Sequence, residues 1–464
     1  MRLHLLTGVL SLAVSHGVGV VEAEGPPATK GGKQTAGQAA PSTGDFAFDL
    51  YRQLAKVRPG ENLFLSPYSV SSALTMAAEG ARGQTAAEMG EVLGYPEAAR
   101  QRGAEAQLLP WNMAMIHRDM AKRNALFQSK PDSPYLISVA NALYGEQTYP
   151  FSPSFVDTMA QFYGSDVVRL VDFKNAHEAS RKQMNAWVEQ QTRERIKNLV
   201  PASAVSASTQ LVIINAIYFK GAWATPFDDR LVREEDFHTN SQKTTVPMMH
   251  AHKLKGGRYA AFNADGSLFV TPEQRSHGAA TESLYPGRGG FQIAELPYKG
   301  DSLAMVLVVP QDVDGLTAIE NELTAARLRG WLGKLDDRVM SVALPKFEME
   351  LSYEMGDALR ELGMRQAMNP NGADFSGMRA DGSRGFSISR VIQKAFVKVN
   401  EQGTEAAAAT AVVPPPGKVS SVFIPAVRAD RPFLFAICDR GTGTILFLGR
   451  LVDPADAALP EGSP

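Results

Sequence analysis

One cysteine stands among 464 residues. Cys438 has no internal disulfide partner, and a zinc site built on several thiolates is excluded. Charge of one sign is also missing: 47 Lys and Arg oppose 49 Asp and Glu, a net −2. Nucleic acid and an anionic membrane both call for a concentrated basic surface, so neither is expected as a partner. Histidines number eight, and none stands beside an obvious Ser or Cys partner. No G-x-S-x-G elbow, G-x-x-x-x-G-K-[ST] phosphate loop or H-E-x-x-H zinc helix occurs. His250 and His252 would share one face of a strand, but a metal needs a further ligand that the sequence does not offer, and the expectation is no metal and no cofactor. Gly441-Thr442-Gly443 reads as a turn. Cys438 lies in the apolar run FLFAICDR and reads as a small buried hydrophobe.

What is present is a chain rich enough in apolar residues, 44% hydrophobic against 21% charged, to bury a sizeable core. Arg2 and an apolar stretch from Leu3 to about Val21, interrupted by His4, Ser11, Ser15 and His16, resemble an export signal. Val21-Glu22-Ala23 supplies compact residues for cleavage, so residues 1–23 are expected to be a signal peptide; a poorly apolar membrane anchor is the alternative. Export without disulfides suits a bacterial secreted or periplasmic, extracellular setting. Residues 24–43 hold no large apolar group and read as a flexible leader, and residues 455–464 as a similar disordered tail. No linker or repeat divides residues 44–454, which predicts one large domain.

Helical spacing runs over Phe46 to Val57, Ser69 to Glu79 (stopped at Gly80) and Asn185 to Val200. Gln210 to Phe219 is an almost unbroken apolar run, as in a strand buried on both faces. Ser302 to Val309, Arg338 to Leu344, Val391 to Val399, Phe433 to Cys438 and Thr444 to Leu448 are further strands. Helix-rich sequence first and strand-rich sequence later predicts an α+β architecture. Residues 253–290, polar and rich in glycine, predict a long surface loop in part.

The unusual segment is NEQGTEAAAATAVVPPPGKVSS, Asn400 to Ser421. Gly403 permits a hinge. The alanine run Ala406 to Ala409 suits a short helix. As a strand, however, Thr404, Ala406, Ala408, Thr410 and Val412 would share one face with no bulky or charged group among them. Such a strand could slide between others. Pro414, Pro415 and Pro416 would end the insertion, lacking the N–H donors a ladder needs, and would hold Gly417 and Lys418 extended.

With these residues in view the sequence resembles a serpin from about Phe46 to Pro454. Asn62-Leu-Phe-Leu-Ser66-Pro67-Tyr-Ser69, Ala78-Glu79-Gly80-Ala81-Arg82-Gly83-Gln84-Thr85, Asn215-Ala-Ile-Tyr-Phe-Lys220-Gly221-Ala-Trp223, Leu296-Pro297-Tyr298 and Ala373-Asp374-Phe375-Ser376-Gly377 are similar to family landmarks in order and spacing. So are Glu401 to Thr410 and Arg431-Pro432-Phe433-Leu-Phe435 through Phe447-Leu-Gly449-Arg450.

The resemblance implies a single α+β domain with three β-sheets, eight or nine helices and an exposed reactive-centre loop, here about residues 401–428. It implies a suicide-substrate inhibitor rather than an enzyme. A target serine protease, or a cysteine protease, acylates itself on the loop, the freed loop inserts into the central sheet, and the protease is carried away and distorted. Glu401, Gly403, Thr404, Glu405, Ala406, Ala407 and Ala408 would form the loop hinge. Ser66, Ser69 and Asn215 would form a hydrogen-bonded cluster where the sheet opens, joined by Gln393 at a position where the family often has histidine. Trp223 would sit where the loop enters. Counting from Glu401 puts the cut at Gly417-Lys418, which suits elastase- or subtilisin-like proteases. Lys418-Val419 suits a trypsin-like pocket and is favoured; cleavage near Val422 or Phe423 is a third option. Some members of the family are non-inhibitory carriers, storage proteins or chaperones, so a binding or chaperone role is the alternative. The basic stretch Arg118 to Arg123, where some members bind heparin, reads here as a solvated face. A monomer is expected.

Overall fold

The computed structural model describes residues 43–127, 133–270, 285–404 and 424–457. Nine α-helices occur among them: α1 Thr43–Val57, α2 Pro67–Gly80, α3 Gly83–Val92, α4 Met113–Phe127, α5 Pro153–Tyr163, α6 Phe173–Gln191, α7 Leu316–Glu322, α8 Ala325–Leu332 and α9 Gly356–Glu361. The strands are β1 Leu63–Leu65, β2 Tyr135–Glu146, β3 Val168–Val171, β4 Leu211–Ala222, β5 Arg233–His238, β6 Lys243–Phe262, β7 Leu268–Phe269, β8 Phe291–Pro297, β9 Leu303–Pro310, β10 Asp336–Pro345, β11 Phe347–Glu354, β12 Ile388–Asn400, β13 Gly403–Thr404, β14 Ala426–Arg428, β15 Phe433–Asp439 and β16 Ile445–Leu451.

Two hydrogen-bonded sheets carry the α+β fold. Six strands run in the order β11-β12-β13-β4-β2-β3, and β12 also pairs with β4. The other sheet runs β1-β16-β15-β9-β8-β6-β10-β14, with β5 and β7 attached to β6. The three sheets implied by the resemblance are continuous as two because β6 serves two neighbourhoods. Its first residues, Lys243 to Met248, pair with β5, Met248 to Tyr259 pair with β10, and its last ones, Arg258 to Phe262, pair with β8.

Helix α2 runs through the interior, and its composition follows from that place. Every residue from Pro67 to Gly80 except Glu79 is buried, so small side chains let sheet and helix approach closely. Pro67 occupies the first turn, where its missing N–H costs nothing. Ser66 caps the helix by accepting from Ser69 N at 3.2 Å. Strand β4 is buried on both faces from Leu211 to Phe219, as its unbroken apolar run requires. Its even-numbered residues Val212, Ile214, Ala216 and Tyr218 pack with Trp187 and Val188 of α6, while Ile217 and Phe219 face the other core.

Three expectations change. The helix expected over Asn185 to Val200 ends at Gln191, because the Thr192 hydroxyl bonds back to Val188 O at 2.8 Å and accepts from Ile196 N. Arg193 and Glu194 then turn with positive φ. Ile196, Leu199 and Val200 still bury against Trp187, so the apolar pattern reported burial and not helix. The loop expected at residues 253–290 begins as strand, since β6 continues to Phe262. A Cβ on Gly257 would lie 2.8 Å from Glu295 O, so glycine here permits a close strand crossing; residues 271–284 lie outside the described residues. At the other end Ala455–Ala457 forms a turn of 3-10 helix with Ala457 buried, so order extends past Pro454.

Candidate functional site

Strands β4 and β12 lie side by side in parallel, Leu211 to Tyr218 against Ile388 to Phe396. Toward their C-terminal ends they diverge, and the chain that follows β12 turns back between them. Asn400 Oδ1 accepts from Gln402 N at 3.1 Å and Gly403 N at 3.2 Å, which closes the reversal. The short β13 then pairs antiparallel with both neighbours: Gly403 with Asn400 and Ala222, Thr404 with Val399 and Gly221. Gly403 has φ +152°, and a Cβ there would lie 2.1 Å from Gly221 O. The wedge therefore requires glycine.

Thr404 is fully buried. Its hydroxyl shares a 2.7 Å hydrogen bond with Tyr298 Oη. Burial pushes the Tyr298 phenol well above its ordinary range, so the ring keeps its proton and can donate. Trp223 stacks on Tyr298 with centroids 4.7 Å apart and planes 9° from parallel. Its indole Nε1 donates to Asn400 O at 3.0 Å and its backbone N to Gln402 O at 2.9 Å. Trp223, named from the sequence, thus braces the turn. Glu401 is held by Lys346 Nζ at 2.7 Å, and its carbonyl accepts from Phe227 N at 2.8 Å. Nothing in the sequence pattern marked Lys346 for this site; Asn400 stood only as the first residue of the unusual segment, and Tyr298 as a landmark without a role.

Further down the pair, the four residues named as a cluster meet. Gln393 and Asn215 are register partners across β12 and β4. Gln393 Nε2 donates to Asn215 Oδ1 at 2.5 Å and to Ser66 O at 2.9 Å, and its Oε1 accepts from Ser66 N at 3.2 Å. Asn215 Nδ2 donates to Ser69 Oγ at 2.5 Å. Ser66 Oγ donates to Leu446 O at 2.6 Å. Asn141 of β2 is the member the sequence did not suggest: it pairs with Asn215 in register, accepts from Asn215 Nδ2, and accepts from Ser69 Oγ at 3.2 Å. Its signal was a lone amide in an otherwise mostly apolar strand. The network pins the N-terminus of α2 to three adjacent strands, and it spans the β4–β12 seam.

The remaining named positions, Glu405, Ala406, Ala407, Ala408, Gly417, Lys418 and Val419, lie outside the described residues. His250 and His252 have rings 6.4 Å apart, and His250 Nε2 contacts Glu235 Oε1 at 2.9 Å. No group of three or more metal-binding side chains occurs among the described residues. Cys438 is buried, and desolvation, with Glu295 and Asp439 nearby, pushes its thiol up to about 12, which leaves it inert.

A sequence profile of the serpins (serine protease inhibitors) matches residues 41–454. Human Serpin B3 is 37% identical over 416 residues, covering 88% of this chain and 97% of the relative. Human leukocyte elastase inhibitor is 35% identical over 418 residues, covering 88% and 97%. The crystal structure of uncleaved ovalbumin aligns with a TM-score of 0.71 at 26% identity, over 89% of this chain and 98% of that one.

Proposed function

The chain belongs to the serpin family, and from that premise we propose that it is a single-use inhibitor of serine-type endopeptidases. The observation that carries the reading is β13. Gly403 and Thr404 already occupy the top of the gap between β4 and β12, so the rest of a strand can follow them. The pairing continued without a slip would set Thr410 between Asn215 and Gln393. It would bring Pro414 level with Leu211, where β4 begins. The proline stop and the length of the β4–β12 seam, which would have to open, therefore agree. Thr404 faces Tyr298 and the core, so Ala406, Ala408, Thr410 and Val412 would face the same side, where no bulky group would obstruct them.

In the proposed reaction the protease serine attacks the carbonyl carbon of Lys418. The Lys418–Val419 peptide bond breaks, Val419 leaves as a free amine carrying the proton, and Lys418 stays esterified to the protease. Insertion then moves the ester. The fifteen residues from Thr404 to Lys418 span roughly 50 Å at about 3.3 Å each, enough to cross a domain. Nucleophile and proton transfer belong to the protease; this chain is not an enzyme. Release of stored strain on loop cleavage is the principle for serpins in general.

Lys418-Val419 points first to a trypsin-like protease. Gly417-Lys418 is the second bond, and the name of the leukocyte elastase inhibitor supports keeping elastase-like enzymes among the targets, with subtilisin-like and cysteine proteases after them. A non-inhibitory binding or chaperone role is the competing reading; Gln393, in a place where the family often has histidine, bears on how easily the sheet opens and does not by itself argue against inhibition. Removal of residues 1–23, export of a chain of the kind bacteria secrete, and a monomeric state belong to the same proposal. The deciding experiment incubates the protein with trypsin, elastase and subtilisin. A complex that survives denaturant, with a released peptide beginning at Val419, supports the reading. Cleavage with no complex supports the competing one.

A further inference from the structure

Four lysines without partners gather between Thr404 and Ile424, the two ends that flank residues 405–423. A protease working on that segment must stand over the ground between those ends. Thr404 pairs with Gly221, directly after Lys220, and Gly403 pairs with Ala222. Lys299 N donates to Ala222 O at 2.7 Å. At the far end Pro425 O accepts from Ser341 N at 2.8 Å. Met340, just before Ser341, is the register partner of Leu254, which Lys253 and Lys255 flank. Thr225, two residues past Trp223, closes the span, since its Oγ1 donates to Lys255 O at 3.4 Å. Strand β6 therefore carries Lys253 and Lys255 across the ground between the two ends.

Leu254 is buried, so alternation along the strand turns the lysines on either side of it to solvent. Lys253, Lys255 and Lys299 are exposed and Lys220 is half-buried. None of the four forms an ion pair or a side-chain hydrogen bond among the described residues. The neighbouring acids are occupied: Glu401 by Lys346 at 2.7 Å, Glu348 by Lys398 at 2.6 Å, Asp228 by Arg230 at 2.7 Å and Asp301 by Arg440. Asp229 accepts from Gln402 Nε2 at 3.0 Å. Asp336 and Asp337 lie further along, opposite Tyr259 and Arg258. Ion pairs largely cancel at a distance and the four lysines do not, so this ground keeps a positive field.

We propose that Lys220, Lys253, Lys255 and Lys299 form a docking surface for an acidic patch of the target protease, outside its primary pocket. The inference rests on the inhibitor reading and narrows the partner to proteases with an acidic surface beside the active site. A protease of about 220 residues has a radius of gyration of about 17 Å, so one bound to the segment covers this ground. Charges at the edge of an interface act mainly on the rate of encounter and its salt dependence, by about 10- to 1,000-fold.

The anionic and cationic forms of trypsin share one primary specificity and differ in surface charge, so they separate docking from cleavage. The second-order rate of loss of protease activity is measured for the full chain with each, in 10 mM and in 200 mM NaCl. Anionic trypsin should react at least about tenfold faster at low salt, and its advantage should fall at least about fivefold at high salt. Lys253→Gln with Lys255→Gln and Lys299→Gln should remove most of the advantage and raise the rate with cationic trypsin. Lys253→Glu with Lys255→Glu should reverse the preference. Thermal unfolding of both variants checks that the fold is kept. Equal rates for the two trypsins at low salt, or a preference left intact in both variants, overturns the proposal. If neither trypsin forms a lasting complex, the inhibitor reading fails separately. Docking is then decided by calorimetry with the two trypsins carrying alanine for the active-site serine. At least about fivefold tighter binding of the anionic form, lost in the variants, supports the surface, and equal binding overturns it.

Discussion

Gln393 and Asn215 face each other across one of the two parallel seams that the six-stranded sheet has among the described residues, their amides 2.5 Å apart and both fully buried. Any strand that enters between β4 and β12 must part them. Under the proposed insertion the pair is the latch of that seam, and the two serines at the start of α2 are bonded into the same network.

Breaking the latch from either side leaves buried polar groups without partners, at about 1–3 kcal/mol for each group. Gln393→Ala and Asn215→Ala are each expected to destabilise the native protein by about 2–4 kcal/mol in urea denaturation. The double variant should cost less than the two singles together by about 1 kcal/mol or more, because the residues share one network. Additive losses would show that the amides act separately.

The latch also shows what sequence could and could not reveal. Ser66, Ser69, Asn215 and Gln393 were named from the family resemblance, through the landmark segments that hold the first three and the position of Gln393 before Glu401. Asn141 stood out only as a lone amide in a mostly apolar strand; its role depends on register with Asn215 across β2 and β4, a long-range pairing no local pattern encodes. Lys346 found Glu401 in the same way, 55 residues apart. The strands of the core were legible from unbroken apolar runs. The stretch from Thr192 to Val200 misled because burial in an irregular turn and burial on a helix leave similar apolar spacing.

Thr404 and Thr410 test the inserting face. Thr404→Arg would bury a charge beside Tyr298, and Thr410→Arg would bring one to the Asn215–Gln393 latch. A desolvated, unpaired charge costs several kcal/mol, and about 1.4 kcal/mol in a barrier is tenfold in rate. Both variants should be cut as substrates, with the moles of protein consumed per mole of protease rising by more than about tenfold in a titration of residual protease activity. Glu405→Arg, on the other face, should change it far less.

The hinge is held by the Thr404–Tyr298 bond and by the absence of a Cβ at Gly403. Tyr298→Phe keeps the ring stack on Trp223 and removes one buried hydrogen bond, an expected loss of about 1–2 kcal/mol in urea. Gly403→Val meets Gly221 O and should expel the wedge, so that limited proteolysis between Glu401 and Thr404 becomes several-fold faster than in the parent chain.

Alkaline pH should destabilise the fold in a defined order. Burial raises the Cys438 thiol and the Tyr259 and Tyr353 phenols to about 12 in the folded chain. Their unfolded values are about 8.5 for Cys and about 10 for Tyr. The unfolded chain therefore loses these protons first, and the stability they contribute is complete below about pH 8.5 and lost as pH rises toward 12. Urea midpoints should fall from about pH 9 upward. Cys438→Ala should flatten the fall between about pH 9 and 10 and leave the steeper one above it; an unchanged profile would contradict the assignment of the early phase to the thiol.

The central claim is that the β4–β12 seam, parted only at Gly403 and Thr404, opens along its length to take a strand that begins at Thr404. Thermal unfolding before and after a single cut in the segment from Gly417 to Val419 measures it most directly. The account predicts a rise of tens of degrees on cleavage, as the freed segment fills the gap and Asn215 and Gln393 come to flank Thr410. An unfolding temperature that stays where it was, in a chain verified as cut once, would contradict it.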